Sequence, residues 1–140
     1  MPDASQDSDT TARSNAVRWF GRLQLLRLLG KSERTMAWRV AEPRRGQEWM
    51  LVLPRQPPPD AEALEHWQHA TRRAARLNHP QLATPVETGV QDGWPFVAYE
   101  LHDSATLAER STSQGLPGAD AANLATQLLR GLAFAHDAGV

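Results

Sequence analysis

The chain has 140 residues, room for one compact domain but hardly for two. Its formal net charge of -1 provides no overall basic field to attract nucleic acid or an anionic membrane. The absence of cysteine excludes disulfides, thiolate metal sites and cysteine nucleophiles. Apolar runs are only a few residues long, too short to span a bilayer. The first fifteen residues lack the basic start and apolar stretch of a secretory signal, so a soluble, cytoplasmic chain is expected.

Residues 1–16 are polar and without apolar period, the pattern of a mobile tail. Order should begin near Trp19-Phe20. Leu23, Leu25 and Leu28-Leu29 suggest a strand, ended by a turn at Gly30-Lys31-Ser32. Met36, Trp38 and Val40 alternate with Ala37, Arg39 and Ala41, which predicts a half-buried strand. Pro43-Arg44-Arg45-Gly46 turns it into the apolar run Trp49 to Leu53, so residues 36–53 form a hairpin.

Gln56-Pro57-Pro58-Pro59 stops the strand, and Asp60 is a good cap for a helix over Ala61 to Asn78. Leu64, Trp67, Thr71, Ala74, Ala75 and Leu77 would form its buried stripe, and Pro80 would close it. Leu82 to Glu87 and Pro95 to Leu101 read as two more strands around the turn Gln91-Asp92-Gly93. A short helix near Thr106–Arg110 and a long one from Ala119 to His136, ended by Gly139, complete the order.

With Leu29-Gly30-Lys31-Ser32-Glu33-Arg34-Thr35, Arg76-Leu77-Asn78-His79-Pro80, Pro95-Phe96-Val97-Ala98-Tyr99-Glu100-Leu101 and Gln127 to His136 in this order, the chain resembles a bacterial-type Ser/Thr protein kinase. The likeness covers about 120 residues, and it lies in their order and spacing rather than in any single motif. It implies an α+β fold: a five-stranded antiparallel sheet with the family's helix C against it. The first two helices of an incomplete helical lobe would follow. Residues 17–102 would be the N-lobe and hinge, and residues 103–140 the start of a truncated C-lobe.

The same resemblance implies that the family's chemistry has been lost. Of the three glycines that let loop amides close over phosphates, Gly30 remains, while Ser32 and Thr35 take the other two places. The lysine of the third strand is replaced by Val52, and its helix-C glutamate partner by Ala70, with His69 and Thr71 offered by a one-residue shift. Losing both ends of one ion pair leaves no buried charge behind. Met50 stands where a small alanine meets adenine, and Tyr99 is the gatekeeper. The degenerate nucleotide pocket would comprise Leu29, Gly30, Ala37, Met50, Tyr99, Glu100 and His102. The family's catalytic and metal-binding residues would lie beyond Val140.

Other features have ordinary readings. Lys31, the only lysine, is a solvated loop residue, too near the outer edge to replace the missing one. His66 and His69 lack a third metal ligand. Asp120 suits a helix start, and Glu62, Glu65, Arg72, Arg73 and Arg76 form a solvated face. Trp38, Trp49 and Trp67 should pack in core or rim, with Trp94 exposed at its turn.

The expected function is that of a pseudokinase-like binding or scaffolding module, with no cofactor required, no metal, and weak ATP binding at most. Leu124, Leu128 and Leu132 on the long helix would face a protein partner or the remainder of a longer chain. The alternative is the N-terminal part of an active ATP-dependent kinase.

Overall fold

A computed structural model describes residues 17–103, 105–111 and 114–140. The mobile-tail expectation for residues 1–16 lies outside them. The elements are β1 (Arg18–Phe20), β2 (Leu23–Lys31), β3 (Thr35–Glu42), β4 (Gln47–Pro54), α1 (Ala61–Ala75), β5 (Pro85–Gln91), β6 (Trp94–Glu100), α2 (Leu107–Arg110) and α3 (Gly118–Asp137). All strand pairings are antiparallel, in the order β1-β2-β3-β4-β6-β5. The sheet therefore has six strands rather than the expected five. The addition is β1, whose three residues pair with Leu23 to Leu25.

β1 matters because of what it closes. It is one edge of the sheet and β5 is the other, yet the curl brings these edges together. Phe20 packs edge-to-face on Phe96 of β6, with centroids 5.6 Å apart. Gly21 has a φ of 56°, in the left-handed region that favours glycine, and a Cβ there would meet the Gln91 side chain at 2.5 Å. Arg22, in the β1–β2 turn, bonds Glu42 of β3 at 3.0 Å, reaches Glu87 of β5, and lies over the Trp49 ring at 5.8 Å. Inside the curl lies the core of Leu23, Val40, Trp49, Leu51, Leu53, Phe96 and Ala98.

The β3–β4 hairpin follows the sequence pattern residue for residue, from Thr35 opposite Pro54 to Glu42 opposite Gln47. Core-facing positions on β4 are Trp49, Leu51 and Leu53, while Met50 and Val52 face the other side. At the β5–β6 turn, Asp92 and Gly93 have φ of 51° and 80°, the paired positive values of a tight hairpin turn. β5 starts at Pro85, three residues later than expected, because 82–84 belong to the preceding loop. Trp94 is half-buried rather than exposed, since it lies within β6 and pairs with Gln91. The exposed tryptophan is Trp19 on the edge strand, at 55%.

Asp60 caps α1 by accepting from the Ala63 amide at 2.8 Å. The helix ends at Ala75, short of the expected Asn78. The Arg76 and Leu77 amides turn back to Arg73 and Ala74, tightening the chain before Pro80. α1 has no fully buried residue; Leu64, Trp67, Thr71, Ala74 and Ala75 are half-buried along one side. α2 begins with a reciprocal cap, Thr106 accepting from the Glu109 amide while Glu109 accepts from the Thr106 amide. These bonds hold the Glu109 carboxyl below its usual range, with a smaller contribution from Arg27.

α3 ends where Gly139 donates to the His136 carbonyl and Val140 to that of Ala135, both at 2.9 Å. Gly131 lets the helix approach the loop after α1, since a Cβ there would lie 3.3 Å from that of Gln81. Phe134 stacks obliquely on His79, with centroids 5.0 Å apart. No helix of the described residues is long and apolar enough to cross a membrane.

Arg22→Met should destabilise the fold by about 2–3 kcal/mol, because Glu42 is only 4% exposed and would lose its close charged partner. Arg39→Met removes the more exposed pair with Glu48 and should cost less than about 1 kcal/mol. Urea unfolding of the two variants checks this order.

Candidate functional site

The face of the sheet away from its core carries the candidate site. Strand register aligns side chains in rows across it. One row runs from Gly30 through Ala37 and Val52 to Val97, and the next from Arg39 through Met50 to Tyr99. Directly cross-strand side chains lie within contact range, so Val52 has apolar neighbours on both sides. Arg39, one row from Val52, is held by Glu48, its Nε 2.7 Å from the carboxylate. The middle of this face therefore carries no free cation among these rows.

The β2–β3 loop is closed on itself. The Ser32 amide donates to the Thr35 carbonyl at 2.8 Å. The Arg34 and Thr35 amides both donate to the Ser32 hydroxyl oxygen, at 3.3 Å and 3.1 Å. That hydroxyl also lies 3.0 Å from the Thr35 hydroxyl. The Ser32, Arg34 and Thr35 amides, which could otherwise point at an anion, are thus already occupied internally. The replacements at Ser32 and Thr35 were legible from sequence, but their mutual bonding was not. The signal was a Ser and a Thr three residues apart, the spacing of a side-chain-closed turn.

The hinge residues come together with the bulky pair. Met50, Tyr99, Glu100, Leu101 and His102 line one side of an open recess of about 780 Å³. Residues 80–86 with Ala105 and Thr106 line the other. Leu29, Gly30 and Ala37, also expected in the pocket, do not line it; Leu29 and Gly30 are exposed and Ala37 is half-buried. Burial raises the Tyr99 pKa above its ordinary value, as expected for a phenol facing apolar surroundings. His102 is 4.0 Å from Glu100.

Behind Tyr99, a second recess of about 330 Å³ lies between α1 and the sheet. Its α1 wall is Thr71 and Ala74, facing Val97 and Tyr99. Ala70, the glutamate position obtained by counting back from Pro80, is exposed. The helix position directed at β6 is therefore Thr71, one residue further on, and it is not a carboxylate either. His66 and His69 are exposed, and among the described residues no group of three His, Cys, Asp or Glu side chains could hold a metal.

This arrangement has counterparts among solved structures. The kinase domain of Mycobacterium tuberculosis PknI matches with a TM-score of 0.66 and 26% identity. A mutant of the same domain matches with a TM-score of 0.69 and 25% identity, each match covering 88% of this chain and 51% of the kinase domain. A double mutant of that domain, at 24% identity and a TM-score of 0.72, agrees in fold. No protein-family model and no curated protein matches the sequence. The chain has the fold of a bacterial Ser/Thr kinase-like N-lobe, and spans about half the length of the kinase domains it resembles.

Tyr99 is the only tyrosine, so its titration can be followed directly. Because its folded pKa is raised, its contribution to stability is intact below pH ~10 and is lost as pH rises through the folded value. Phenolate absorbance should emerge at higher pH in the folded protein than in urea. Tyr99→Phe should remove this part of the alkaline loss of stability.

Proposed function

We propose that this chain is a degenerate kinase-like module that acts by binding or scaffolding, without transferring phosphate on its own. The observation that carries the reading is the apolar row Ala37–Val52–Val97, at the place where kinase chemistry needs a phosphate-holding lysine. On α1, neither exposed Ala70 nor inward Thr71 offers the carboxylate that would orient such a lysine. The loop supports the same reading, because its amides serve Ser32 and Thr35 rather than an incoming phosphate. Met50 opposite Tyr99 narrows the space an adenine ring would enter. The hinge backbone at Glu100 and His102 still offers groups for a weakly held base. No cofactor or metal is needed for this function.

The binding surface in this reading includes α3. Leu128 is 62% exposed and Leu132 is 40% exposed, while Leu124 is half-buried beside Leu107 and Leu116. The outward pair, more than the expected trio, would meet a protein partner or further helical chain. Nucleic acid and membrane are not among the proposed partners, and the proposed location is the cytoplasm.

A second reading is favoured by one fact: the chain spans about half of the kinase domains it resembles. It would then be the N-terminal part of an active ATP-dependent kinase, with its phosphate-holding cation supplied from elsewhere.

Mg-ATP should leave the melting temperature essentially unchanged. A saturable rise at submillimolar nucleotide would favour the active-kinase reading instead. In the triple variant Met50→Ala, Val52→Lys, Thr71→Glu, ATP binding should improve by at least about tenfold, since a new charge-assisted contact is worth roughly 1.5–3 kcal/mol. The same triple with Ala70→Glu in place of Thr71→Glu should gain less, because Ala70 is exposed. Calorimetric titration of both variants measures the difference.

A further inference from the structure

A second polar feature lies at the far end of the β3–β4 hairpin, outside the cleft. Thr35 pairs with Pro54, which brings the residues just beyond them, Arg34 and Arg55, side by side. The Arg55 amide donates to the Arg34 carbonyl at 2.9 Å, extending the ladder by one bond. On the other side of Arg34, the Ser32 hydroxyl holds the Arg34 and Thr35 amides and stiffens the turn. Both arginine backbones are thus set by hydrogen bonds, although their side chains are exposed.

Arg34 and Arg55, with Glu33 and Gln56, line an open recess of about 430 Å³. Neither guanidinium forms an ion pair with a described residue; the arginines that do are Arg22, Arg39 and Arg45. Glu33 is the one carboxylate in the lining and lies within ion-pair distance of neither arginine. Lys31 adds a further positive charge at the end of β2. The recess therefore has a positive balance, two forked donors on adjoining backbone, and a neutral amide at Gln56.

We propose that this recess is a binding site for a phosphate dianion, free or as a monoester, held between the Arg34 and Arg55 guanidiniums. A carboxylate is satisfied by one forked guanidinium, whereas a tetrahedral dianion has oxygens enough for two. Gln56 can donate to a remaining oxygen, and Glu33 disfavours an anion seated on its side. The ligand is either free phosphate or a phosphorylated side chain of a protein, which share this chemistry. The site is separate from the Met50–Tyr99 recess and does not depend on whether that cleft binds nucleotide.

The test is a titration of the 140-residue chain at matched ionic strength, following the arginine Nε–H signals by NMR. The probes are inorganic phosphate, a phosphoserine peptide and its unphosphorylated form. Saturable shifts of Arg34 and Arg55 are expected, weakened at least about tenfold in the Arg34→Gln, Arg55→Gln double variant. Arg44→Gln, a change in the other hairpin turn, should bind as the parent does. Tighter binding of the phosphopeptide than of phosphate would identify a phosphorylated side chain as the source; equal binding would identify free phosphate. A response that does not saturate, or that persists in the double variant, would overturn the site. The Mg-ATP melting response is a separate measure of the cleft when it is taken in the Arg34→Gln, Arg55→Gln variant, which lacks both guanidiniums but keeps Met50 and Val52.

Discussion

The rest of the structure depends on how the two edges of the sheet are brought together around Arg22. Its guanidinium reaches Glu42 on β3 and Glu87 on β5 while covering Trp49. The Glu87 hydrogen bond is the main reason its pKa is raised, against the opposing effect of desolvation. Glu42 is almost wholly buried and one of its oxygens has no hydrogen-bond partner among the described residues, so the contact with Arg22 carries much of its compensation. This polar clamp and the Phe20–Phe96 contact close the curl on the core. A flat sheet of the same strands would leave Leu51, Leu53 and Phe96 without cover on that face.

Closing the core on one face assigns the other face to function by exclusion. Strand alternation places Trp49, Leu51 and Leu53 inward, so Met50 and Val52 must face out toward the cleft. That face then meets α1 and the hinge. The result has the fold of a kinase-like N-lobe, with the apolar row Ala37–Val52–Val97 on this face and a β2–β3 loop bonded to itself. These features are mutually consistent: an apolar row needs no counter-charge from α1, and a self-bonded turn needs no ligand to order it. Such a face keeps the fold without the charges that would otherwise need pairing.

Much of this was legible locally. The alternation from Met36 to Ala41, the apolar run at Trp49–Leu53 and the turn between them define one hairpin with one register, because a slip would turn Leu51 out and Met50 in. The Asp92-Gly93 turn and the Asp60 cap were equally plain, as short-range bonding decides both. Less legible were features settled across long separations. Gly21, Phe20 and Arg22 form an edge strand and a clamp only because the curl delivers Phe96, Gln91 and Glu87 to them. Counting back from Pro80 put Ala70 at the glutamate position that the resemblance implies, whereas the apolar stripe put Thr71 on the inward side. The structure follows the stripe: Thr71 is half-buried and lines a recess with Val97 and Tyr99, while Ala70 is exposed. For the candidate cleft, Met50, Tyr99, Glu100 and His102 were gathered as expected, whereas Leu29, Gly30 and Ala37 remained apart.

The sequence by itself determined the order of the elements from β2 onward and the inward and outward faces of β4. Those follow from period, turn chemistry and identity, all local properties of the chain. Only the tertiary structure decided that the sheet curls shut through β1 and that Arg34 and Arg55 share one recess. The reason is physical: edge closure and the meeting of separate strand ends are set by contacts between residues far apart in sequence, and no local pattern records them.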